Sequence, residues 1–459
     1  MYTYQDLDRI RSDEDKTMQF VLDCINYFKT SDEYKTAQDY RDYAQGENPT
    51  LRRSEKVIYD LLGNAHRDNI SPNHKIYSRY VYLAITEGTQ YLLGNGISFD
   101  SDSAKGKLGD DIDERLSEWA DDAQTYGVSY GFWNGEKLQI FPFLQCIPLL
   151  DEYDSTIKAL IRFWQLDDDK PMHIVLYETD GMTDYIQESG EKIRVETAKR
   201  GYPKVKTNYA LDAIKDEITE FYNFPALPVI PLYYINHKSI LWGNTPVVDA
   251  YDLLNSRMVN NIDEGNLVYW VLRNCNGMDE KDLQNFIVQL HKSHVLPVDG
   301  DDGADAVPHQ VEAPVNSTEL GIERVKALLD ENFMTANAES IRAGNVTATQ
   351  IKSAYHRLDM KTARFEYQVI KAVKRLLFII GIPDEKFTFT WSRELNKSEE
   401  IQSILQAAAF LDEETVTRML LEVLGKIDIV DEVLQRREEL AKERYALIAA
   451  ENGAEPKEQ

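Results

Sequence analysis

Apolar positions along the chain follow three successive patterns. Over roughly the first 130 residues they recur every three or four positions, which predicts amphipathic helices. From Gly131 to about residue 224 they alternate with polar positions, which is typical of antiparallel strands joined by short turns. After Thr245 the helical spacing returns. The sequence therefore predicts an α+β protein in which helices precede and follow an antiparallel meander.

Local signals mark the boundaries of the N-terminal helices. Thr30 and Glu33 have the spacing of a capping box, which predicts that a second helix begins there. A further helix is predicted over residues 75–93, with Gly94 as its C-terminal stop. Residues 101–109 are small and polar, and they predict a loop. The next helix is marked by four apolar residues at helical spacing: Ile112, Leu116, Trp119 and Ala123.

A hairpin begins the strand region. Asn134-Gly135 lies between two apolar runs, and this dipeptide favours a tight turn in which both positions have positive φ. Further strands are predicted at residues 159–166, 173–177, 183–187 and 192–197. Residues 224–231 contain three prolines, which exclude a helix and predict a stiff extended connector.

The C-terminal half predicts long helices interrupted by a small mixed insert. Thr245-Pro246 is a favourable N-cap and first-turn pair, and residues 316–319 are predicted to cap a second helix that ends near Phe333. The insert is predicted to contain a helix, a strand and an acidic loop, at residues 281–292, 295–298 and 299–305. Later elements are a polar segment, the longest helix, a strand and Glu-rich helices, beginning at residues 337, 349, 387 and about 399.

Composition limits the classes of function. The 459 residues include 51 basic and 78 acidic side chains, a net charge of −27, which disfavours indiscriminate binding to nucleic acid or anionic membranes. The three cysteines are far apart, so neither a disulfide framework nor a zinc knuckle is expected, and a reducing compartment is favoured. No signal-peptide pattern and no apolar run long enough to cross a bilayer occur, so no membrane partner is predicted.

Motifs for catalysis or cofactor binding are weak. Residues 127–131 match G-x-S-x-G, but a helix precedes them and a hairpin follows, the reverse of a hydrolase elbow, so Ser129 is interpreted as part of a turn. His291 and His294 have a common spacing and stand before a solvated acidic loop, so no metal site is predicted. Because the chain also lacks a P-loop and a dinucleotide-binding glycine motif, neither a cofactor nor enzymatic activity is expected.

The longest helix carries an unusual charge. Between Gln350 and Arg375 it has seven basic and two acidic residues, a local charge of +5 within a chain of −27. One face is apolar, with Leu358, Thr362, Phe365, Val369, Val373, Leu376 and Ile380. Another carries a basic stripe of Arg357, Lys361, Arg364, Lys371 and Arg375. The stripe is either a solvated or salt-bridged face, or a surface that faces a polyanion or an acidic neighbouring subunit.

Several motifs occur in a particular order. Residues 224–236 are FPALPVIPLYYIN, residues 242–256 are WGNTPVVDAYDLLNS, and Asn260-Asn261 follow. YLLGNG occurs upstream at residue 91, and LNKSEE and LDEET occur downstream at residues 395 and 411. In order and spacing these motifs resemble portal proteins of tailed bacteriophages, especially the branch of long, flexible-tailed siphophages. The resemblance covers most of residues 70–440.

Two positions depart from the family pattern. The family often has paired asparagines where this chain has Asn236-His237, and Ser-Gly where it has Thr347-Ala348. The resemblance implies a wing, a two-helix stem, a clip between the stem helices, a tunnel loop and a helical crown. On this chain they map to residues 1–244 (wing), 245–270 and 316–335 (stem), 271–315 (clip), 336–348 (tunnel loop), 349–398 (long helix and wing strand) and 399–459 (crown).

The resemblance also implies a function and a set of partners. Such proteins form a ring, typically of twelve subunits, at one capsid vertex of the virion, after assembly in the host cytoplasm. Double-stranded DNA passes through the ring during packaging and ejection. The expected protein partners are the terminase large subunit, a head-completion adaptor, scaffold and the major capsid protein. Packing energy is expected from the terminase.

The resemblance places candidate site residues in two regions. The side chains expected nearest the DNA lie in the tunnel loop and the adjoining helix: Asn337, Glu339, Ser340, Arg342, Asn345, Lys352 and Arg357. Lys352 and Arg357 are expected to contact either phosphate or an adjacent subunit. The acidic residues expected to steer partners to the clip are Asp299, Asp301, Asp302 and Asp305, although a solvated loop without a partner is an open alternative.

Two other classes of protein remain as alternatives to the portal interpretation. The chain could be a monomeric or dimeric adaptor that binds partners through its C-terminal helices, or a serine hydrolase that uses Ser129. Native mass distinguishes the adaptor from a ring. A serine-reactive probe distinguishes the hydrolase.

Overall fold

A computed structural model gives the fold in two compact units. The structure describes residues 2–59, 64–69, 71–210, 213–265, 268–273, 305–310, 315–336, 348–392 and 401–442, the last range without 402–403, 409, 425–428, 431, 438 and 441. The first unit comprises residues 1–335 and 357–392, and the second comprises residues 336–356 and 393–459.

As predicted, helices make up most of the N-terminal region and recur in the C-terminal half. They are α1 (Tyr4–Ile10), α2 (Glu14–Thr30), α3 (Asp32–Ala44), α4 (Pro49–Arg53), α5 (Tyr80–Leu93), α6 (Asp102–Leu108), α7 (Ile112–Tyr126), α8 (Thr245–Gly265), α9 (Val315–Asn332), α10 (Ala348–Ile379) and α11 (Glu413–Val423). The helix α10 is called the long helix below. Its first nine residues belong to the second unit and the rest to the first.

Two predicted boundaries in the N-terminal region are wrong. Ser31, rather than Thr30, caps α3, because its Oγ accepts from the backbone N–H of Tyr34, whereas the Thr30 hydroxyl donates back to the carbonyl of Asn26. Residues 101–109 contain helix α6 rather than only a loop. Its Ala104 and Leu108 lie four residues apart and are both buried, so they anchor one face of the turn.

The predicted meander is confirmed as a five-stranded antiparallel sheet. Its strands are β6 (Cys146–Leu150), β7 (Ile157–Trp164), β8 (Met172–Glu178), β9 (Gly181–Gln187) and β10 (Arg194–Arg200), in the order β10-β9-β8-β7-β6. Six further strands form three separate two-stranded sheets: β1 (Val57–Tyr59) with β2 (Ala65–Arg67), β11 (Tyr202–Ala210) with β12 (Ala213–Tyr222), and β3 (Ile97–Phe99) with β16 (Phe387–Phe389). The hairpin β11–β12 was not predicted.

The predicted hairpin at Asn134-Gly135 is confirmed, with a different turn. Strands β4 (Val128–Trp133) and β5 (Leu138–Phe141) flank it, and β13 (Val229–Tyr233) pairs with the other side of β4. Only Gly135 has positive φ, because the Asn134 side chain bends the chain by accepting from the N–H groups of Glu136 and Lys137. The proline-rich connector is extended as predicted, and it continues into β13, an edge strand. Proline has no N–H group to donate to a second neighbouring strand, so Pro231 is compatible with an edge position.

The C-terminal elements follow the prediction with shifted ends. The helix that begins at Thr245 ends at Gly265, and Trp270 lies in strand β14 (Val268–Arg273), opposite β15 (Asp305–Gln310). The helix α9 begins at Val315, so the predicted cap at residues 316–319 is already helical. The long helix and the strand at Phe387 are confirmed. The helix and strand predicted at residues 281–298 lie outside the described residues.

The core of the first unit joins the N-terminal helices, the sheets and the long helix. Trp119 on α7 is fully buried, and a Cβ added at Gly131 on β4 would lie 2.8 Å from its ring, so this glycine allows helix and strand to approach. Leu160 and Leu376 are buried in the same cluster. None of the described helices combines the length and apolar character needed to cross a lipid bilayer.

Candidate functional site

The structure describes only part of the site that the sequence predicts. Asn337, Glu339, Ser340, Arg342 and Asn345 lie outside the described residues, as do Asp299, Asp301 and Asp302. Asp305 is the first residue of β15 and pairs in backbone register with Arg273 of β14. Lys352 is exposed on the first turns of the long helix. Of the predicted site residues, the structure therefore describes only Asp305, Lys352 and Arg357.

Arg357 makes an ion pair within its own chain. Its guanidinium lies 3.0 Å from the carboxylate of Glu331 on α9, and both side chains are about half exposed. At such exposure the pair contributes little to stability, on the order of 0–1 kcal/mol. The pair does orient the guanidinium toward the C-terminal end of α9.

A buried lysine holds the end of α9. Lys361 on the long helix is only 4% exposed, and its Nζ donates to the backbone carbonyl of Phe333 over 2.9 Å. Phe333 follows the last residue of α9, where carbonyl groups have no partner in the helix and the helix dipole favours a cation. Lys361 therefore acts as a C-terminal cap supplied from another helix.

Burial governs the protonation of this lysine. It lowers the pKa of Lys361 to about 8, while the nearby carboxylate of Glu87 acts in the opposite direction. The site is crowded, since a Cβ added at Gly88 would lie 2.8 Å from the Gln124 side-chain oxygen and 3.7 Å from Nζ. The prediction that Lys361 belongs to an exposed basic stripe is wrong, because the side chain lies at the edge of the buried face.

The helix α5 anchors the same corner. The Tyr80 hydroxyl donates to the Asp330 carboxylate over 2.6 Å, and the Tyr80 ring packs edge-on against Phe333 with 5.3 Å between centroids. Burial and the Asp330 carboxylate together raise the pKa of Tyr80, which keeps the phenol protonated. The chain is thus fixed by two other helices immediately before residue 337.

An extended segment, here called the strap (residues 74–78), lies along α8. The N–H groups of His74, Ile76 and Ser78 donate to side chains of Asn260, Ser256 and Asp252, over 2.7, 2.9 and 3.0 Å. The three acceptors are four residues apart on the helix, about 6 Å in rise, and the three donors are two residues apart in extended chain, about 6.5 Å. The two spacings nearly match, so one polar row on α8 accepts from every second N–H group of the strap.

The strap corrects the prediction of a helix from residue 75. Its donors are bound by α8, and Arg79 is in the left-handed region with φ 55°, so α5 begins only at Tyr80. The three side chains of the polar row are all buried, and Asn48 closes the end of the row at Asp252. The Asn48 amide donates to Asp252 over 2.9 Å and its oxygen accepts from the N–H of Leu51. Asp252 and Ser256 of the WGNTPVVDAYDLLNS motif thus have a structural role that the residue pattern alone did not reveal.

Asn236 and His237 share an uncommon backbone conformation. Both have positive φ, 55° and 56°, a region that asparagine tolerates better than most residues. The Asn236 oxygen accepts from Arg364 of the long helix over 3.1 Å, and the His237 ring stacks on Tyr233 at 4.0 Å. This conformation gives a physical reason why the resembling family often has paired asparagines here.

The hydrolase alternative finds no support in the described structure. Ser129 lies inside strand β4, opposite Leu232, so its interpretation as part of a turn is wrong. It is fully buried, and its Oγ has no hydrogen-bond partner. A nucleophile needs an adjacent base and access to substrate. Across the described residues no group of His, Cys, Asp and Glu side chains could hold a metal ion, while His291 and His294 lie outside them.

Comparison with known proteins identifies similar chains. Residues 27–445 match the family described as phage portal protein, SPP1 Gp6-like, which leaves out only the first 26 and last 14 residues. The portal protein of Bacillus phage SPP1 is 23% identical over 407 residues, covering 78% of this chain and 74% of the relative. The portal protein of Clostridium phage phiCD119 is 21% identical over 400 residues, covering 78% and 82%.

Solved structures include two similar chains at low identity. One belongs to the neck of an empty GTA particle computed with C6 symmetry, with a TM-score of 0.41, 10% identity and coverage of 75% of this chain and 90% of that one. The other is an HK97 family phage portal protein from Corynebacterium diphtheriae, with a TM-score of 0.36, 11% identity and coverage of 69% and 96%.

Proposed function

Because the chain belongs to the SPP1 Gp6-like family of phage portal proteins, we propose that copies of it form a ring, typically of twelve, at one capsid vertex. Double-stranded DNA passes through this ring during packaging and ejection. The observation that carries the proposal is the family match over residues 27–445. Family membership indicates a virion-associated structural role rather than a catalytic one, and it favours neither the adaptor nor the hydrolase alternative.

The described elements support a stem and a clip in this ring. Helices α8 and α9 pack against each other, and strands β14 and β15 pair antiparallel beside their ends. The chain therefore leaves this pair of strands at Arg273 and returns at Asp305, two adjacent positions, as a projecting clip requires. We assign the stem to α8 and α9, and the clip to residues 271–315 with β14 and β15 at its base.

The charge balance supports a channel that confines DNA without holding it. Each phosphate that a basic side chain neutralises adds affinity, and therefore friction, to a translocating duplex. Arg357 is engaged by Glu331, which leaves Arg342, Glu339 and Lys352 as the charged residues that we place nearest the DNA. Asn337, Ser340 and Asn345 supply uncharged contacts.

Removal of residues 337–345 tests the tunnel-loop assignment. We expect the deletion variant to form rings of normal native mass, because Lys361 and Tyr80 fix the chain before residue 337, but to lose DNA packaging or retention. A variant with the same nine positions as glycine and serine separates loop length from side-chain chemistry. Normal packaging by deletion rings would contradict the assignment. A wild-type chain that stays monomeric at high concentration with scaffold present would favour the adaptor alternative.

Charge reversal tests the two groups of site residues separately. Arg342→Glu should weaken the salt dependence of DNA retention, because a lost phosphate contact releases fewer counterions, whereas Lys192→Glu on the wing should not. Reversal of Asp299, Asp301, Asp302 and Asp305 to lysine should leave rings intact and slow association with the terminase large subunit or the head-completion adaptor. Unchanged association rates at low salt would leave the acidic segment without a steering role.

A further inference from the structure

The long helix has a second regular row of side chains on the side opposite the core. The row consists of six exposed residues separated by alternating steps of four and three: Met360, Arg364, Tyr367, Lys371, Lys374 and Phe378. This is the spacing of the contact seam between two packed helices. It spans 19 residues, whose 18 steps of rise amount to about 27 Å. We call it the outer seam.

Half of the outer seam is apolar and strongly exposed. Met360, Tyr367 and Phe378 are 44%, 60% and 46% exposed, and they are distributed along its whole length. Single exposed apolar residues are ordinary, but a row of large ones at seam spacing marks an interaction surface. Contact with another protein would remove these three side chains from water.

The other half of the outer seam is basic and is not neutralised within the described chain. Arg364, Lys371 and Lys374 make no ion pair with any described carboxylate; Arg364 bonds to the Asn236 amide, and Lys371 lies over the Tyr367 ring at 4.7 Å. The two acidic residues of this part of the helix are turned to other partners.

Those two acidic residues face away from the outer seam. Asp359 accepts from the Tyr91 hydroxyl over 2.5 Å, and Glu366 is half-buried with a hydrogen bond from Trp391. A solvated helix would normally place carboxylates four residues from its lysines on the same face. Here the seam stays purely positive, which favours an acidic partner.

We propose that the outer seam binds an acidic, partly apolar surface of a second copy of this chain. Outside residues 350–375, which carry +5, the chain carries −32, so another copy offers the complementary charge. Large apolar side chains gain nothing from phosphates, which disfavours DNA as the occupant. The inference rests on the ring of the proposed function and names one of the two different faces that a closed ring requires.

Lysine reactivity measures whether the outer seam is covered. Wild-type monomers and rings are treated with a lysine-acylating reagent and acylation is read by mass spectrometry. Lys371 and Lys374 should react in monomers and be at least tenfold protected in rings. Lys107 and Lys192, which are exposed on α6 and before β10, serve as internal controls. Equal reactivity in both states, or protection already in monomers, would overturn the proposal, the latter by making the occupant part of the same chain.

Charge reversal tests the contact itself. Lys371→Glu/Lys374→Glu should raise the protein concentration needed for half-maximal ring assembly at least tenfold, and Lys107→Glu/Lys192→Glu, with the same change in net charge, should not. Tyr367→Ser provides a variant without charge change, expected to act in the same direction. Unfolding midpoints matching wild-type monomer establish that the variants fold. Assembly at the wild-type concentration, with or without reduced DNA retention, would overturn the proposal. Failure of wild type to form rings would instead contradict the proposed function.

Discussion

Replacement of Lys361 by methionine isolates the buried ammonium that caps α9. Methionine has nearly the same length and shape but neither charge nor donor. At pH 7 the side chain of Lys361 is protonated in both the folded and the unfolded protein, although burial opposes this in the fold. Two opposing terms therefore decide the change in stability: relief of desolvation, and loss of the hydrogen bond to Phe333.

The two terms can be compared in magnitude. The lowering of the pKa from 10.5 to about 8 corresponds to about 3 kcal/mol that the folded protein loses by holding the ammonium. Loss of the donor to the buried Phe333 carbonyl costs about 1–3 kcal/mol. We expect Lys361→Met to stabilise the protein at pH 7 by about 1 kcal/mol.

The pH dependence has a defined sign. Between pH 8 and 10.5 the folded protein binds fewer protons than the unfolded chain, so wild-type stability gains a contribution from Lys361 as pH rises. The variant lacks this contribution. Near pH 10 the neutral lysine still donates to Phe333, so Lys361→Met is expected to be less stable than wild type by about 1–2 kcal/mol.

Urea denaturation of both proteins at pH 7 and pH 10 measures this reversal. The difference between the two proteins removes the effects of tyrosines and other groups that titrate in the same range. Lys107→Met, at an exposed lysine on α6, should change the free energy of unfolding by less than about 0.5 kcal/mol at either pH. A Lys361→Met variant that is destabilised by the same amount at both pH values would refute the reasoning.

Two further substitutions test one buried and one partly buried carboxylate. Asp252→Ala leaves the Ser78 N–H and the Asn48 amide without an acceptor, so the free energy of unfolding measured in urea should fall by about 2–4 kcal/mol. Arg257→Ala, at an exposed position on the same helix, should have little effect. Equal losses in the two variants would contradict the role of Asp252 in holding the strap. Burial raises the pKa of Asp122 to about 7, so the folded protein binds the extra proton and wild-type stability falls as pH rises from about 4 to 7. Asp122→Asn should be about 1–2 kcal/mol more stable than wild type at pH 8 with a flatter profile, measured by denaturation across pH 5–8, and an unchanged profile would contradict this assignment.

Elements with strong internal periodicity could be predicted from the sequence. The long helix and strands β7–β10 have an apolar face that repeats over many residues, so local pattern fixes their type. The local sequence predicts a helix over residues 75–79 because nothing nearby in the chain shows that N–H groups of this segment bind α8, 174–186 residues away. Such distant donors and acceptors override local preference.

The candidate site could be predicted only in outline. The charge of the long helix indicated a special surface, but its basic residues divide among three roles: Arg357 pairs with Glu331, Lys361 caps α9, and Lys371 remains on the outer seam. Charge counting treats these side chains alike, because their roles depend on angular differences around the helix and on neighbours from other elements. A lysine beside Leu358 and Phe365 of the apolar face was the available signal for burial.

The strap has a consequence for the evolution of this chain. Irregular segments ordinarily accept insertions and deletions, because the flanking elements keep their places when a loop changes length. Between His74 and Ser78, however, one added or lost residue would move every later N–H away from its acceptor on α8. Homologous chains should therefore vary in length before residue 74. They should have no insertion or deletion between residues 74 and 78, where the strap binds α8.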